Sequence, residues 1–303
     1  MNYKLILVRY GEIALKGKET RKRFENTLVS NIKNALDKSN LPNKITKEWG
    51  RIYVHTTQIN KCIDVLQRIF GVYSVSPAYQ TSSDITSISK LSVDISKEKL
   101  NKGKSFAIRT TRTGKHEYTS QDVAIKVGDG VVKATKAKVD LTNPDFELSI
   151  EIRNDKAFLF TERISCAGGM PLGTQGTVLA LIDEPKSVLA AWHLMHRGCK
   201  TLFLTYNDSI KKNLKHFSDN WFVKPDVLSV SSKEDLYEEI NKIAVKKKFD
   251  AIVTGHTIFG NSQKTLSDIK QLKRHVNFPI LHPLISMNEK EIINKCSEIG
   301  LTL

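Results

Sequence analysis

Apolar positions follow two rhythms in the first 166 residues of this chain, and a third pattern takes over afterwards. Residues 3–9 (YKLILVR) and 51–55 (RIYVH) are rich in β-branched and aromatic residues and predict strands. Within 19–38, Phe24, Leu28, Ile32 and Leu36 recur every four residues, the spacing of a helix with one buried stripe. Residues 61–70 predict a short helix. A polar, serine-rich stretch at 81–89 leads into a second helical pattern, and 104–112 alternates as a strand does. A helix follows at 120–134. Two alternating runs in 146–162 flank Asn154-Asp155, which predicts a hairpin closed by a tight turn.

The glycine-rich segment 168–176 reads as a loop. Beyond it strands and helices alternate. Strands are expected at 178–182, 200–206, 226–230, 250–254 and 278–284, with helices between them, for example at 233–248. A last helix starts at Asn288, with Glu291 completing a capping box. Strand–helix alternation implies a mostly parallel sheet with helices on its faces. The chain therefore divides into an α+β unit at 1–77, a second at 78–166 and an α/β unit at 167–303.

Composition fits this picture: 40% hydrophobic and 26% charged residues in a 303-residue chain describe an ordinary folded protein. No apolar run approaches a membrane span, and the N-terminus lacks the form of a signal peptide. Cys62, Cys166, Cys199 and Cys296 form no C-x-x-C pair, which argues against a zinc ribbon or dithiol motif and favours a reducing, cytoplasmic location. The eight histidines show no metal-ligand spacing, so no metal site is expected. Formal net charge is +15, unevenly spread: 29 Lys and Arg face 18 Asp and Glu up to residue 170, against 18 and 14 afterwards. The anion-attracting half is the first one.

Two basic clusters refine that statement. Lys16, Lys18 and Arg21 surround Gly17, after the first strand. Arg109, Arg112, Lys115 and His116 lie at a strand end around Gly114, with Tyr118 available for stacking, a composition suited to a nucleic-acid backbone. A solvated charged turn is the plainer reading of the first cluster; for the second, exposed charge and a nucleic-acid contact stand equal. A third feature stands where the 178–182 strand runs into a helix. Such corners bind phosphate through free backbone N–H groups and the helix dipole, and they need glycine for close approach. Here the corner reads Asp183-Glu184-Pro185-Lys186-Ser187. Proline supplies no N–H, and the two acids repel a triphosphate.

Several stretches together resemble the tRNA 4-thiouridine sulfurtransferase (ThiI) family. They are VRYGEIALKGK (8–18), SFAIRTTRTGKHEYTSQDV (105–123), AKVDLTNPDFELSIEIRNDKAFLFTER (137–163), GGMPLGTQGTVLALI (168–182), AAWHLMHRGC (190–199), AIVTG (251–255) and FPILHPLISMNEKEII (278–293). They keep the family's order along nearly the whole chain. The resemblance implies a ferredoxin-like domain and a tRNA-binding THUMP domain, followed by an α/β parallel-sheet PP-loop domain of the adenine-nucleotide α-hydrolase type. It also implies a reaction in which ATP, with Mg, adenylates a tRNA uridine before a cysteine persulfide delivers sulfur.

The family's nucleotide site maps onto Leu181, Ile182, Lys186, Ser187, Thr205, Tyr206, Lys233, Gly255 and Lys264, and at many of these the residue departs from the pattern. Only Ser187 remains of the glycine-rich phosphate loop. A histidine–phenylalanine pair falls on Thr205-Tyr206, an arginine on Lys233 and a glutamine on Lys264, while V-T-G-E becomes Val253-Thr254-Gly255-His256. The sequence also ends before the segment that carries the family's persulfide cysteine. The expectation is a tRNA-binding member with a degenerate PP-loop whose own thiolation is lost or impaired, so that no cofactor is certain. It would serve a sulfur-carrier or catalytic partner protein and could pair as a homodimer. Two other readings stand beside it. One is an active ATP-dependent sulfurtransferase using Lys186 or Lys264 on phosphate and Cys166 or external sulfide for sulfur. The other is a non-catalytic RNA-binding assembly protein unrelated to thiolation.

Overall fold

The computed structural model describes residues 3–259 and 262–302, apart from the side chains of Lys233, Glu234 and Ala244. Two compact units emerge. One holds the chain up to Arg9, Asn40–Gln67 and Ser74–Ser165; the other holds Tyr10–Ser39, Arg68–Tyr73 and the chain from Cys166 onward. Packing thus groups 10–39 and 68–73 with the C-terminal part, whereas the sequence pattern sets them in the N-terminal part.

The first unit is built on nine strands: β1 (Leu5–Arg9), β2 (Lys44–Glu48), β3 (Arg51–His55), β4 (Ser74–Ser82), β5 (Ser105–Thr113), β6 (Lys138–Val139), β7 (Phe146–Arg153), β8 (Lys156–Phe160) and β9 (Ile164–Ser165). Their order is β2-β3-β1-β4-β8-β7-β5-β6, with β9 also on β4. Strand β4 joins two halves. Its first residues pair antiparallel with β1, from Arg9↔Ser74 to Leu5↔Ala78, and its last with β8, from Tyr79↔Leu159 to Ser82↔Lys156. Asn154, at φ +51°, closes the β7–β8 turn in the left-handed region that asparagine tolerates.

Among the described residues four α-helices fall within the first 166 positions: α1 (Lys18–Lys38), α2 (Ile59–Leu66), α3 (Ile85–Lys99) and α4 (Ser120–Thr135). The last three belong to the first unit. Asp84 caps α3 by accepting the Ser87 N–H at 2.7 Å. Thr119 and Asp122 cap α4 reciprocally, at 2.8 and 3.1 Å. Ile88 and Ile95 of α3 and Val123, Val127 and Val131 of α4 share one core with Phe106, Leu148, Ile150 and Ile152 of the sheet. Alternation puts Glu151 and Arg153 of β7 on the opposite face, where both are nevertheless buried.

In the second unit β10 (Thr177–Leu181), β11 (Lys200–Thr205), β12 (Val227–Ser229), β13 (Ala251–Val253) and β14 (Ile280–Leu281) form a sheet in the order β12-β11-β10-β13-β14. Every pairing is parallel. The connecting helices are α5 (Pro185–His196), α6 (Lys211–Asn220), α7 (Lys233–Lys247), α8 (Ser262–His275) and α9 (Glu289–Glu298). Period-two alternation along β10 feeds two cores. Val178 and Ala180 pack with Val188, Trp192, Phe217 and Ile292 from α5, α6 and α9, and Leu179 and Leu181 pack with Leu236 and Ile240 from α7, Leu272 from α8 and Val276 just beyond it. A strand apolar on both faces is the signature of a parallel sheet covered on both sides. Asn288 and Glu291 form the expected capping box on α9. Among the described residues no helix is long and apolar enough to cross a membrane.

The buried face of the first unit depends on one carboxylate. Glu151 lies 2.6 Å from Arg51 Nε, 3.1 Å from Arg153 Nη1 and 3.7 Å from Arg9 Nη2. Arg9 is held to about 10 by burial, which outweighs the Glu151 charge. Removing the carboxylate leaves three neighbouring guanidiniums uncompensated. Glu151→Ala is therefore expected to destabilise the first unit by about 3–5 kcal/mol, measurable as a lowered urea midpoint.

Candidate functional site

The order of the parallel sheet reverses at β10: the chain runs outward to β11 and β12, then returns to β13 and β14 on the other side. Ligands of open α/β sheets bind in the crevice beyond the strand ends at such a switch point. A cavity of about 270 Å³ opens there. The corner 181–184 after β10 and the segment 254–257 after β13 line it, together with residues of α7 and α8. Of the residues singled out by sequence, Leu181, Ile182, Lys186, Tyr206, Gly255 and Lys264 line this cavity. Ser187 and Thr205 are buried and do not line it, at 1% and 0% exposure. The side chain of Lys233, at the start of α7, lies outside the described residues. Leu236, Tyr237, Thr257, Phe259, Thr265 and Asp268 also line the cavity, and no sequence motif pointed to them.

The corner is closed on itself. Glu184 stands at the N-cap of α5 in extended conformation without a side-chain cap bond, and Pro185 opens the helix. The Ser187 hydroxyl donates to Asp183 Oδ1 at 2.5 Å, and its N–H bonds to Glu184 O at 3.0 Å. Lys186 Nζ pairs with Glu184 Oε1 at 2.8 Å. Gly255 approaches from β13 so closely that a Cβ there would lie 2.5 Å from Ser187 Oγ and 2.9 Å from Ser187 Cα. Thr205 accepts the Asn207 N–H at 3.0 Å and so shapes the turn after β11. A phosphate cradle needs unspent N–H donors and open backbone; this corner has a proline, two acids and a serine committed to one of them.

Thr254 Oγ1 lies 2.8 Å from His256 Nδ1 and 2.6 Å from His282 Nδ1, so one hydroxyl bridges two imidazoles at the cavity wall. Burial, with the His256 charge second, holds His282 below the usual histidine value. Burial likewise raises the thiols of Cys62, Cys199 and Cys296, the last to about 11, against a nucleophilic role for these three. Among the described residues no group of three His, Cys, Asp or Glu side chains is placed to hold a metal ion.

The basic clusters divide by strand geometry. Arg109 and Arg112 lie three residues apart on β5 and so project to opposite faces. Arg109 is exposed, donates to Glu147 Oε2 at 3.1 Å and to Leu141 O at 2.6 Å, and lines a cavity of about 520 Å³ with Arg51, Arg153 and Arg163. That arginine-lined concavity was not legible as such, because its members come from distant segments. Arg112 Nη1 instead lies 3.3 Å from His116 Nδ1, and His116 Nε2 lies 2.6 Å from Asn154 O. Tyr118, 5.1 Å from the His116 ring, donates to Ser83 O. Arg112 and His116 thus brace the loop against the β7–β8 turn, while Lys115 is exposed. In the second unit Lys16 and Lys18 are exposed, whereas Arg21 folds back to donate to Ala14 O and, at 3.2 Å, to Lys16 O.

Two outcomes follow from this packing. Gly255→Ala is expected to destabilise the second unit by about 1–3 kcal/mol through overpacking against Ser187, read by thermal denaturation. Burial depresses His193, His196 and His282 in the folded state. The unfolded chain then binds more protons, so stability is full above about pH 6.5 and falls as pH drops through that value toward the native pKa values. A melting temperature that stays constant between pH 7.5 and 5.5 would contradict this.

Comparison with known proteins bears on both sites. Residues 5–76 match the ThiI ferredoxin-like domain, 82–162 the THUMP domain and 209–302 the domain described as Thiamine biosynthesis protein (ThiI). A probable tRNA sulfurtransferase of Methanobrevibacter smithii is 34% identical over 99% of this chain and 87% of its own length. Its counterpart in Methanocaldococcus jannaschii is 33% identical over 97% and 87%. The crystal structure of PH1313 from Pyrococcus horikoshii superposes with a TM-score of 0.83 at 27% identity, covering 98% of this chain and all of that one. A 4-thiouridine synthetase–RNA complex with bound ATP superposes at 0.81 and 26% identity, covering 99% and 85%. With its ferredoxin-like, THUMP and parallel-sheet domains in that order, this chain belongs to the ThiI family of tRNA sulfurtransferases.

Proposed function

We propose that this chain binds tRNA through its THUMP-containing first unit, in the cytoplasm, and that its own ATP-dependent thiolation has lapsed. The observation that carries this reading is the corner at 183–187, where Asp183 holds the Ser187 hydroxyl and Pro185 replaces a donor. The related synthetase complex carries both RNA and ATP. Of these two, RNA matches what the first unit retains: exposed Arg109 on β5 and Lys115 after it, and a concavity lined by Arg109, Arg51, Arg153 and Arg163. Activation and sulfur delivery then fall to a catalytic or sulfur-carrying partner, with this chain presenting the tRNA.

A second reading draws on the ATP in that complex. In it the chain is an active sulfurtransferase, with Lys186 or Lys264 on the nucleotide. Incubating the protein with ATP, Mg²⁺, sulfide and unmodified tRNA separates the two, since 4-thiouridine forms only under the second.

The RNA role has its own test. Arg109→Ala and Lys115→Ala together are expected to weaken tRNA binding in a shift assay and to reduce the salt slope by about one for each phosphate these side chains neutralise. Unchanged affinity would remove these residues from the interface.

A further inference from the structure

Strand β12 is an edge of the parallel sheet, and among the described strands it pairs with β11 alone. The Phe203 N–H donates to Asp226 O at 2.9 Å, and the Val230 N–H donates to Thr205 O at 3.0 Å. Successive residues of a parallel ladder bond to opposite sides, so the N–H and C=O groups of Val227 and Ser229 turn away from β11. Among the described residues nothing bonds to them. Natural sheets blunt such an edge with charged residues or proline in the strand itself. Val227-Leu228-Ser229 carries neither, and Val227 is 41% exposed. A groove of about 530 Å³ runs beside this edge, within the second unit. Leu214 of α6, Val223 and Val227 make its apolar strip. Lys38, Lys211, Lys215 and Lys224 stand around it against one carboxylate, Asp219. Asp219 is paired with Lys38 at 2.8 Å, and Lys211 with Asp208 at 2.7 Å. Lys215 and Lys224 are exposed and have no salt-bridge partner among the described residues.

We infer that β12 and this groove take an extended acidic segment of a partner protein, added to the sheet as a further strand. The free main-chain groups of Val227 and Ser229 hold the segment, the mode in which exposed sheet edges bind peptides. Side chains of a strand that share a face recur every second residue, about 7 Å apart. An apolar side chain on the strip, with a carboxylate two positions to either side, therefore brings its acids to the unpaired ammonium groups of Lys215 and Lys224. Charge selects this occupant over two others. A second copy of this chain would set two lysine rims against each other, and facing like charges oppose that pairing. An RNA strand would meet the lysines and leave the apolar strip and the amide edge unused. The groove shares no lining residue with the crevice beyond β10, so this surface is independent of what that crevice binds.

The test is fluorescence anisotropy of a labelled peptide, Thr-Glu-Thr-Val-Thr-Glu-Thr, titrated with the full chain at low salt. It is expected to bind about tenfold more tightly than the same peptide with lysine in place of glutamate. The double variant Lys215→Glu, Lys224→Glu alters two exposed positions and should reverse that preference. Methylating every backbone amide of the peptide keeps its charge and removes its donors, and binding should then fall about tenfold or more. Absence of binding at millimolar concentration overturns the inference. Equal binding of the methylated peptide also overturns it, since the site is then a charged patch and not a strand edge. Oligouridylate bound more tightly than the peptide, and lost in the double variant, gives the surface to RNA. A dimer of the chain alone that the peptide disperses gives it to a second copy, and either result overturns the proposal. None of these measurements reads tRNA binding by the first unit or thiolation, so their failure leaves the function proposed above untouched.

Discussion

Strand β10 fixes the chemistry of the second unit. It runs at the centre of the parallel sheet with a partner on each side, and from Val178 onward every residue in it is buried. A strand held on both edges and both faces cannot shift in register without moving its apolar side chains out of place. Its C-terminal end is therefore fixed in space, and the five residues that follow stand at the switch point whatever they are. Glycines there would make an anion site. With Asp183, Glu184 and Pro185 there, the corner turns inward and its serine is bound by an acid. None of residues 183–187 belongs to the two apolar cores flanking β10.

The first unit distributes charge in the opposite sense. One buried carboxylate, Glu151, sits among Arg9, Arg51 and Arg153, and Arg109 and Arg163 line the concavity beside Arg51 and Arg153. In that concavity four arginines face three glutamates, Glu147, Glu151 and Glu162. Long β4 makes this face continuous, since it pairs with β1 at one end and with β8 at the other. Arginines outnumber glutamates four to three in the first unit's concavity, and carboxylates outnumber ammonium groups three to two in the second unit's crevice, so the overall charge of the chain describes neither place.

Much of the fold was readable because burial imposes a period. The α1 stripe at Phe24, Leu28, Ile32 and Leu36, the β7–β8 hairpin about Asn154 and the strands of the parallel sheet all follow from apolar spacing or turn chemistry. Strand β2 was not readable: KITKE is an exposed edge, and its polar residues carry no alternation of burial. Strand β4 was hidden by Pro77 and by serines that are buried without being apolar. The position of the corner at 183–187 was legible because a strand signal running straight into a helix signal is a local fact. The two-sided arrangement of Arg109 and Arg112 also follows from period two. The arginine concavity and the placing of Tyr237 and Asp268 along the crevice required long-range contacts that no single segment records.

The aromatic packing of the second unit has an optical consequence. Of the chain's three tryptophans, Trp192 and Trp221 lie in that unit, nearly enclosed, with Phe70 stacked on Trp221 at 5.0 Å and His196 stacked on Trp192 at 4.9 Å. Trp49 belongs to the first unit and is 70% exposed. Emission from the enclosed pair is blue-shifted and shielded from iodide, while Trp49 is open to the quencher. The two units thus carry separable intrinsic fluorophores, and the opening of either one can be followed in the unlabelled protein.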